Sequence, residues 1–187
     1  GVGPVILGYC YEPVDTAVKQ QIDKGVLGTI NNATEIEMAE AICQMVPCAD
    51  MVKFCKGGGE ADAIAVRMAR GYTGKDIVLF CGYHGWHDWY LSANLGDDSN
   101  LDGHLLPANL ESDSTLDEHL RPGIIPKGVP SALAGTSIPF EYNNLDSLKN
   151  TLDKNSGKVA CIIMEAVRYN QPEKGFLEGV RQLADEH

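Results

Sequence analysis

The stretch Met51-Val-Lys-Phe-Cys-Lys-Gly-Gly-Gly-Glu-Ala-Asp-Ala-Ile-Ala-Val-Arg-Met-Ala-Arg70 decides the fold, because an apolar run ends at three glycines and a helical pattern begins at once. The glycines at 57, 58 and 59 let the backbone turn and approach an anion without a Cβ in the way. The first N–H groups of the helix have no partner inside it and point into that turn. The stretch predicts a strand, a phosphate-binding turn and a helix, whose buried face would hold Ala61, Ile64, Ala65, Met68, Ala69 and Tyr72.

A second segment adds an aromatic corner to this turn. Ile77–Cys81 has the composition of a buried strand, and it leads directly into Gly82-Tyr-His-Gly-Trp-His-Asp-Trp-Tyr90. Aromatic side chains at the end of a strand suit a flat heterocyclic ligand, because they offer large faces for stacking. The same residues also fit a hydrophobic corner that contains two hydrogen-bonded histidines.

The rest of the chain alternates between helical and strand patterns. A helix is predicted from Pro13 to Gly25 with one apolar stripe, and a second helix follows a capping box of Thr34 and Glu37. Beyond these, the pattern predicts a helix around 145–152, a strand over 159–164 and a last helix from about 175 with Phe176, Val180, Leu183 and Ala184 facing inward. Such alternation is typical of an α/β fold, in which helices cover both faces of the sheet.

Together these segments resemble the class III aminotransferases, fold-type I enzymes that use pyridoxal phosphate (PLP). Within that family the resemblance is to the glutamate-1-semialdehyde 2,1-aminomutase-like branch. Five stretches carry it in the family's order: Gly1–Pro13, Lys56–Ala61, Ala69–Gly74, Gly82–Gly85 and Val159–Glu165. The resemblance implies a three-layer α/β/α large domain with a mostly parallel sheet, of which residues 1–187 would be the N-terminal half.

The resemblance also implies a set of cofactor-binding residues: Gly58, Gly59, Glu60, Tyr83, His84 and Glu165. The glycines would donate backbone N–H groups to the phosphate, Tyr83 would stack on the pyridine ring, and Glu165 would lie near the ring. Two departures accompany the match. Gly59 stands where the family has a hydroxyl residue, which removes a hydrogen bond worth about 1.5–3 kcal/mol. Ala166 replaces the proline that follows the family's strand carboxylate.

Family members continue beyond the position of His187 into two further segments. These hold the Asp that pairs with the pyridinium nitrogen and the Lys that forms the Schiff base. The resemblance therefore implies no catalytic residue in this chain. Lys56, Lys127 and Lys174 are not expected to replace the lysine, since the first lies in the turn and the others in Pro- and Gly-rich sequence. The complete enzyme would move an amino group on a small amino, keto or semialdehyde substrate. It would be a homodimer, with residues 25–34 approaching the partner's cofactor.

Composition is that of an ordinary soluble protein, with 44% hydrophobic and 22% charged residues among 187. A net charge of −11 argues against nucleic acid or an anionic membrane as partner. There is no apolar run of the ~20 residues that a membrane span needs and no signal-peptide pattern at the N-terminus. Six cysteines lie mostly in apolar segments without a tight pair, so buried thiols and a cytoplasmic location are expected.

Residues 94–139 interrupt the pattern. The segment is rich in Gly and Pro and carries a cluster of acidic residues, so little regular structure is expected there. Leu105, Leu106, Ile124 and Ile125 are too apolar for a free linker. The segment is interpreted as an insertion within a single partial domain spanning 1–187, acting as a lid or a subunit-contact loop.

Two other functions compete with the PLP hypothesis. His84, His87 and Asp88 could bind zinc or another transition metal in a hydrolase, with His104 or His119 as a further ligand. Alternatively, the chain is a non-catalytic interaction domain that keeps the fold without the chemistry.

Overall fold

The structure, a computed structural model, describes residues 5–95, 126–167 and 170–187. The chain divides into two units, Gly1–Lys53 and Phe54–His187. Helices α1 and α2 make up the regular structure of the first unit, and the sheet lies in the second.

Helix α1 spans Glu12–Lys24, with Pro13 in its first turn and Gly25 as its C-cap. The sequence correctly locates this helix, because proline fits the first turn and glycine adopts the positive φ of 101° found at the C-cap. The expected burial of its apolar stripe is not found: Val14, Val18 and Ile22 are each about half exposed.

Helix α2 spans Ala33–Met45, and its capping box differs from the predicted one. The Asn32 side chain accepts a hydrogen bond from the Glu35 N–H at 3.1 Å, and the Glu35 carboxylate accepts one from the Asn32 N–H at 2.9 Å. The prediction of Thr34 and Glu37 was therefore wrong by two residues. Asn and Thr both cap helices well, so the sequence offered two frames for the same motif.

Among the described residues, the sheet of the second unit has three parallel strands in the order β2-β1-β3: β1 is Ile77–Cys81, β2 is Ser137–Pro139 and β3 is Val159–Met164. Leu79 lies opposite Ile138 on one side and Ile162 on the other. The predicted strands 77–81 and 159–164 are confirmed residue for residue.

Helices cover both faces of this sheet. Helix α3 (Gly58–Thr73) and the short α4 (Asp88–Leu91) lie on one face, with α5 (Leu145–Lys154) and α6 (Phe176–Glu186) on the other. Side chains of β1 alternate between two cores, one on each face of the sheet. The first core includes Val78 and Phe80 of β1 with Val66, Trp89 and Tyr90. The second includes Leu79 and Cys81 of β1 with Leu148, Leu152 and Phe176. This confirms the α/β fold with three layers, and the predicted inward side of α6.

Two predictions around the glycine turn are wrong. Residues 51–55 form no regular strand, and Met51 and Phe54 are exposed. In α3 the predicted buried face is rotated: Met68 and Tyr72 are 64% and 94% exposed, whereas Val66 is buried. Because alanines lie on several sides of α3, the hydrophobic pattern does not show clearly which face of the helix is buried.

Strand β2 lies inside the segment that was expected to have little regular structure. It was missed because it has three residues and ends in a proline, which the central strand of a sheet would not tolerate but an edge strand does. Residues 96–125, which hold most of the predicted insertion and both His104 and His119, lie outside the described part of the chain.

All six cysteines are free thiols, and only Cys81 is fully buried, so the expectation of buried thiols was wrong for Cys10, Cys48 and Cys55. Within the described residues, no helix is both long and apolar enough to cross a membrane.

Candidate functional site

The candidate site lies at the carboxyl ends of β1 and β3, where two parallel strands finish side by side. Glu165 directly follows β3, and its backbone N–H donates to the Cys81 carbonyl at the end of β1 at 3.1 Å. Parallel sheets in α/β folds bind ligands at this edge, because the loops that leave the strands converge there.

The Glu165 side chain packs against the backbone that follows β1, and Gly82 allows this contact. Gly82 has a φ of 103°, and the space where a Cβ would lie is filled by the Glu165 carboxylate. The carboxylate accepts a hydrogen bond from the Tyr83 N–H at 3.3 Å. A residue larger than glycine at 82 would displace this carboxylate, so glycine is required here for both its φ and its lack of a side chain.

Helix α3 begins beside this edge with its N–H groups available. The first intrahelical bond runs from the Ala61 N–H to the Gly57 carbonyl at 3.0 Å. The N–H groups of Gly58, Gly59 and Glu60 have no protein acceptor among the described residues. Together with the positive end of the helix dipole, three such donors favour an anion.

Glu60 uses its side chain locally. Its carboxylate accepts a hydrogen bond from the Lys56 N–H at 2.8 Å, which fixes the chain that enters the helix. The backbone N–H of Glu60 is therefore the group that it can offer to an anion.

The loop after β1 packs directly on the start of α3. A Cβ on Gly85 would lie 2.9 Å from the Cα of Gly59, and a Cβ on Gly59 would lie 3.1 Å from the His87 ring. Two glycines therefore meet backbone to backbone and allow this approach. None of Gly57, Gly58 and Gly59 has a positive φ, so close contact rather than an unusual turn explains the glycine at 59.

Tyr83 is half-buried at the mouth of this loop. Its ring makes an edge-to-face contact with Tyr90, with ring centroids 5.8 Å apart, and it borders the core that contains Phe80. The ring is thus held on one side by protein while part of it stays accessible.

His84, the next residue, points into the fold. It is 5% exposed and surrounded by the rings of Phe80, Trp89 and Tyr90. Its Nε2 lies 3.1 Å from the Cys81 carbonyl oxygen, and its Nδ1 lies 3.5 Å from the Asp62 carboxylate on α3.

Burial raises the pKa of the Asp62 carboxyl above its ordinary value. His84 and His87 oppose this shift because they favour the carboxylate, and the negative charge of Glu165 adds to it. The carboxyl is therefore more easily protonated than an exposed aspartate.

A family model for class-III aminotransferases matches residues 1–187. The chain belongs to this family. It is 37% identical over 190 residues to glutamate-1-semialdehyde 2,1-aminomutase of Citrifermentans bemidjiense, covering 98% of this chain and 40% of that protein. It is 31% identical over 192 residues to 3-aminobutyryl-CoA aminotransferase of Cloacimonas acidaminovorans, covering 99% and 39%. The chain thus spans about 40% of the length of these relatives.

Solved structures of similar proteins have the same fold. An omega-transaminase from Sphaerobacter thermophilus superposes with a TM-score of 0.72 at 22% identity, covering 94% of this chain and 38% of that one. A glutamate-1-semialdehyde aminomutase from Pseudomonas aeruginosa PAO1 gives 0.68 at 23% identity, covering 96% and 36%.

The structure brings five of the six predicted residues to one place: Gly58, Gly59 and Glu60 at the helix start, and Tyr83 and Glu165 at the strand ends. His84 is adjacent in sequence but lies in the interior. Sequence reasoning missed Asp62 and Gly85, which hold the loop to α3. Asp62 and His84 are 22 residues apart in the sequence, and only the fold brings their side chains together.

The metal hypothesis finds no support in the described residues, where no group of three or more His, Cys, Asp or Glu side chains is arranged to hold an ion. Both ring nitrogens of His84 already face protein atoms.

Proposed function

We propose that this chain forms the phosphate and ring sites of a PLP-dependent enzyme that transfers an amino group between molecules or shifts it within one. The observation that supports this most is the convergence of three elements: the free N–H groups of α3, Tyr83 after β1 and Glu165 after β3. The two relatives described above are an aminomutase and an aminotransferase, which represent both reactions.

The start of α3 fits the phosphate. A Cβ added to Gly58 would meet nothing within 4 Å, so no neighbouring atom confines this residue on its side-chain side. The N–H groups of Gly58, Gly59 and Glu60 would donate to the phosphate oxygens, each donor being worth about 1.5–3 kcal/mol to a charged acceptor.

The absence of a hydroxyl residue at 59 has a physical reason in this chain. A side chain there would crowd the His87 ring, which lies 3.1 Å from the position of its Cβ. A side chain at 59 would require the exposed His87 ring to shift by a few tenths of an ångström, and without a hydroxyl group there the phosphate would depend more heavily on backbone donors.

Tyr83 and Glu165 fit the ring. The Tyr83 ring is fixed by Tyr90 on one side and would stack on the pyridine with its accessible part. The Glu165 carboxylate, held by Gly82 and the Tyr83 N–H, would orient polar groups at the edge of the ring. When bound, PLP supplies an electron sink for the bonds around the amino-bearing carbon, and the protein supplies position and charge.

We assign no proton transfer to residues 1–187. In the family the lysine that attaches to the cofactor, and the aspartate that pairs with its ring nitrogen, belong to segments beyond the part matched here. We propose that these 187 residues act as part of one large domain, with 94–139 as an insertion.

We further propose a small amino, keto or semialdehyde substrate, a cytoplasmic location and a homodimer with residues 25–34 at its interface. Leu27 and Ile30 in that segment are 96% and 85% exposed, as expected for apolar residues that a second subunit would cover.

A proline at 58 tests the phosphate site. Gly58 is the first residue of α3, where proline is well tolerated, and Gly57 before it is extended (φ −144°, ψ 160°), as a residue before proline must be. In the full-length protein, meaning the natural polypeptide that contains this sequence, Gly58→Pro should remove one N–H donor and weaken PLP binding by about tenfold or more. Gly58→Ala keeps the N–H and is the matched control.

The affinity is measured by fluorescence titration of the apo-protein with PLP, with circular dichroism to check that both variants keep their helix content. Equal affinities for Gly58→Pro and Gly58→Ala would remove Gly58 from the phosphate site. Failure of the unsubstituted protein to bind PLP would refute the proposed function.

A further inference from the structure

The two nitrogens of the His84 ring face two different elements. Nε2 lies 3.1 Å from the Cys81 carbonyl oxygen at the end of β1, and Nδ1 lies 3.5 Å from Oδ2 of Asp62 in the second turn of α3. The ring therefore bridges the sheet and the helix on whose first turn the phosphate is proposed to bind.

The Cys81 contact determines where one proton of the His84 ring lies. A backbone carbonyl only accepts hydrogen bonds, so Nε2 carries a proton that it donates to Cys81. Nδ1 faces the Asp62 carboxyl, and a hydrogen bond between these two groups needs one proton, carried by either of them.

The His87 ring lies beside Gly59, and residues 83–85 of the loop contact α3 at two further places. One is the close backbone contact of Gly85 with Gly59. The other is the polar contact of His84 with Asp62, whose Nδ1 and Oδ2 atoms lie 3.5 Å apart. Tyr83 lies between Gly82, fixed against Glu165, and His84, so the orientation of its ring depends on both neighbours.

We propose that Asp62 is a positioning residue, which acts through His84 to hold the Tyr83 loop in register with the first turn of α3. This rests on the proposed function, because the alignment matters for a ligand that spans the N–H groups of α3 and the Tyr83 ring. Asp62 itself does not need to touch that ligand.

The charged neighbours of Asp62 come from two places, the loop after β1 and the end of β3. His84 and His87 approach from the loop and favour the carboxylate, and Glu165 acts from the end of β3 in the opposite sense. Removing the imidazole of His84 should therefore raise the pH at which the Asp62 carboxyl titrates, a shift that a purely structural role of Asp62 would not produce.

The experiment compares Asp62→Asn and Asp62→Leu in the full-length protein, with Asp153→Asn on the exposed side of α5 as the charge-matched control. An asparagine N–H can still donate to Nδ1, whereas leucine cannot. We expect Asp62→Leu to weaken PLP binding by about tenfold. We also expect it to accelerate amide hydrogen exchange across 82–87 in the apo-protein, with Asp62→Asn and Asp153→Asn close to the unsubstituted protein.

A third measurement follows the Asp62 carboxyl by NMR with 13C-labelled aspartate, in the unsubstituted protein and in His84→Gln. We expect the midpoint of its titration to rise in His84→Gln. An unchanged midpoint, or unchanged exchange across 82–87 in a folded Asp62→Leu variant, would overturn the inference. If Asp62→Leu does not fold, the NMR titration decides.

The exchange and NMR readouts need no cofactor. If the protein does not bind PLP at all, the proposed function fails while the Asp62–His84 link is still tested. If PLP binds but Asp62→Leu binds it as tightly as the unsubstituted protein, the positioning role fails alone.

Discussion

Substitution of Gly85 by alanine tests the contact on which the geometry of the site depends. Gly85 has a φ of 89°, a conformation that costs an L-residue about 1–2 kcal/mol. Its Cβ would also lie 2.9 Å from the Cα of Gly59, a backbone atom that can move only if the loop or α3 moves. Overpacking of this kind costs about 1–3 kcal/mol more. Gly85→Ala should therefore destabilise the protein by about 2–5 kcal/mol.

Gly74→Ala separates the two contributions. Gly74, the C-cap of α3, also has a positive φ, of 65°, but a Cβ there would meet nothing within 4 Å. Gly74→Ala should cost only the backbone strain, about 1 kcal/mol. The assay is urea unfolding of the full-length apo-protein followed by circular dichroism, with PLP affinity measured in parallel. The reasoning is refuted if both variants lose the same stability, or if Gly85→Ala binds PLP normally.

Three further predictions concern Tyr83, Asp62 and Cys161. Tyr83→Ala should remove ring stacking worth about 1 kcal/mol and weaken PLP binding about fivefold, while Tyr83→Phe should bind nearly normally; equal affinities for both variants would exclude stacking as the role of Tyr83. Because the folded-state pKa of Asp62 is raised, its contribution to stability is complete below its unfolded pKa and is lost as pH rises through the folded value. Asp62→Asn should thus gain stability relative to the unsubstituted protein as pH rises above about 4, the ordinary pKa of an aspartate, which urea unfolding at each pH would show, and a pH-independent difference would contradict the shift. Burial raises the pKa of the Cys161 thiol, so iodoacetamide should modify Cys161 at neutral pH more slowly than exposed Cys48, as measured by peptide mass spectrometry; equal rates would contradict it.

The sequence predicted the elements whose signals are local. Strands β1 and β3 are short apolar runs bounded by polar or glycine residues, and α5 and α6 have wide apolar faces, so their bounds follow from composition and period. Strand β2 has neither length nor alternation, and it is a strand only because β1 offers it a partner.

In the candidate site, too, local motifs could be predicted from the sequence and tertiary contacts could not. Gly58, Gly59, Tyr83 and Glu165 were predicted from motifs, each of which is continuous in sequence. Asp62 and Gly85 could not be found in this way, because their roles exist only after the loop has folded onto α3. The orientation of α3 was also not predicted from the sequence, and periodicity does not reveal the hydrogen bond that Arg70 donates to the Asp76 carbonyl.

A crystal structure of the full-length protein with PLP tests the central claim most directly. It should place the phosphate within hydrogen-bonding distance of the backbone N atoms of Gly58 and Gly59, with the pyridine ring against Tyr83 and Glu165 at the ring edge. A phosphate bound away from the first turn of α3, or a ring that does not touch Tyr83, would contradict the account.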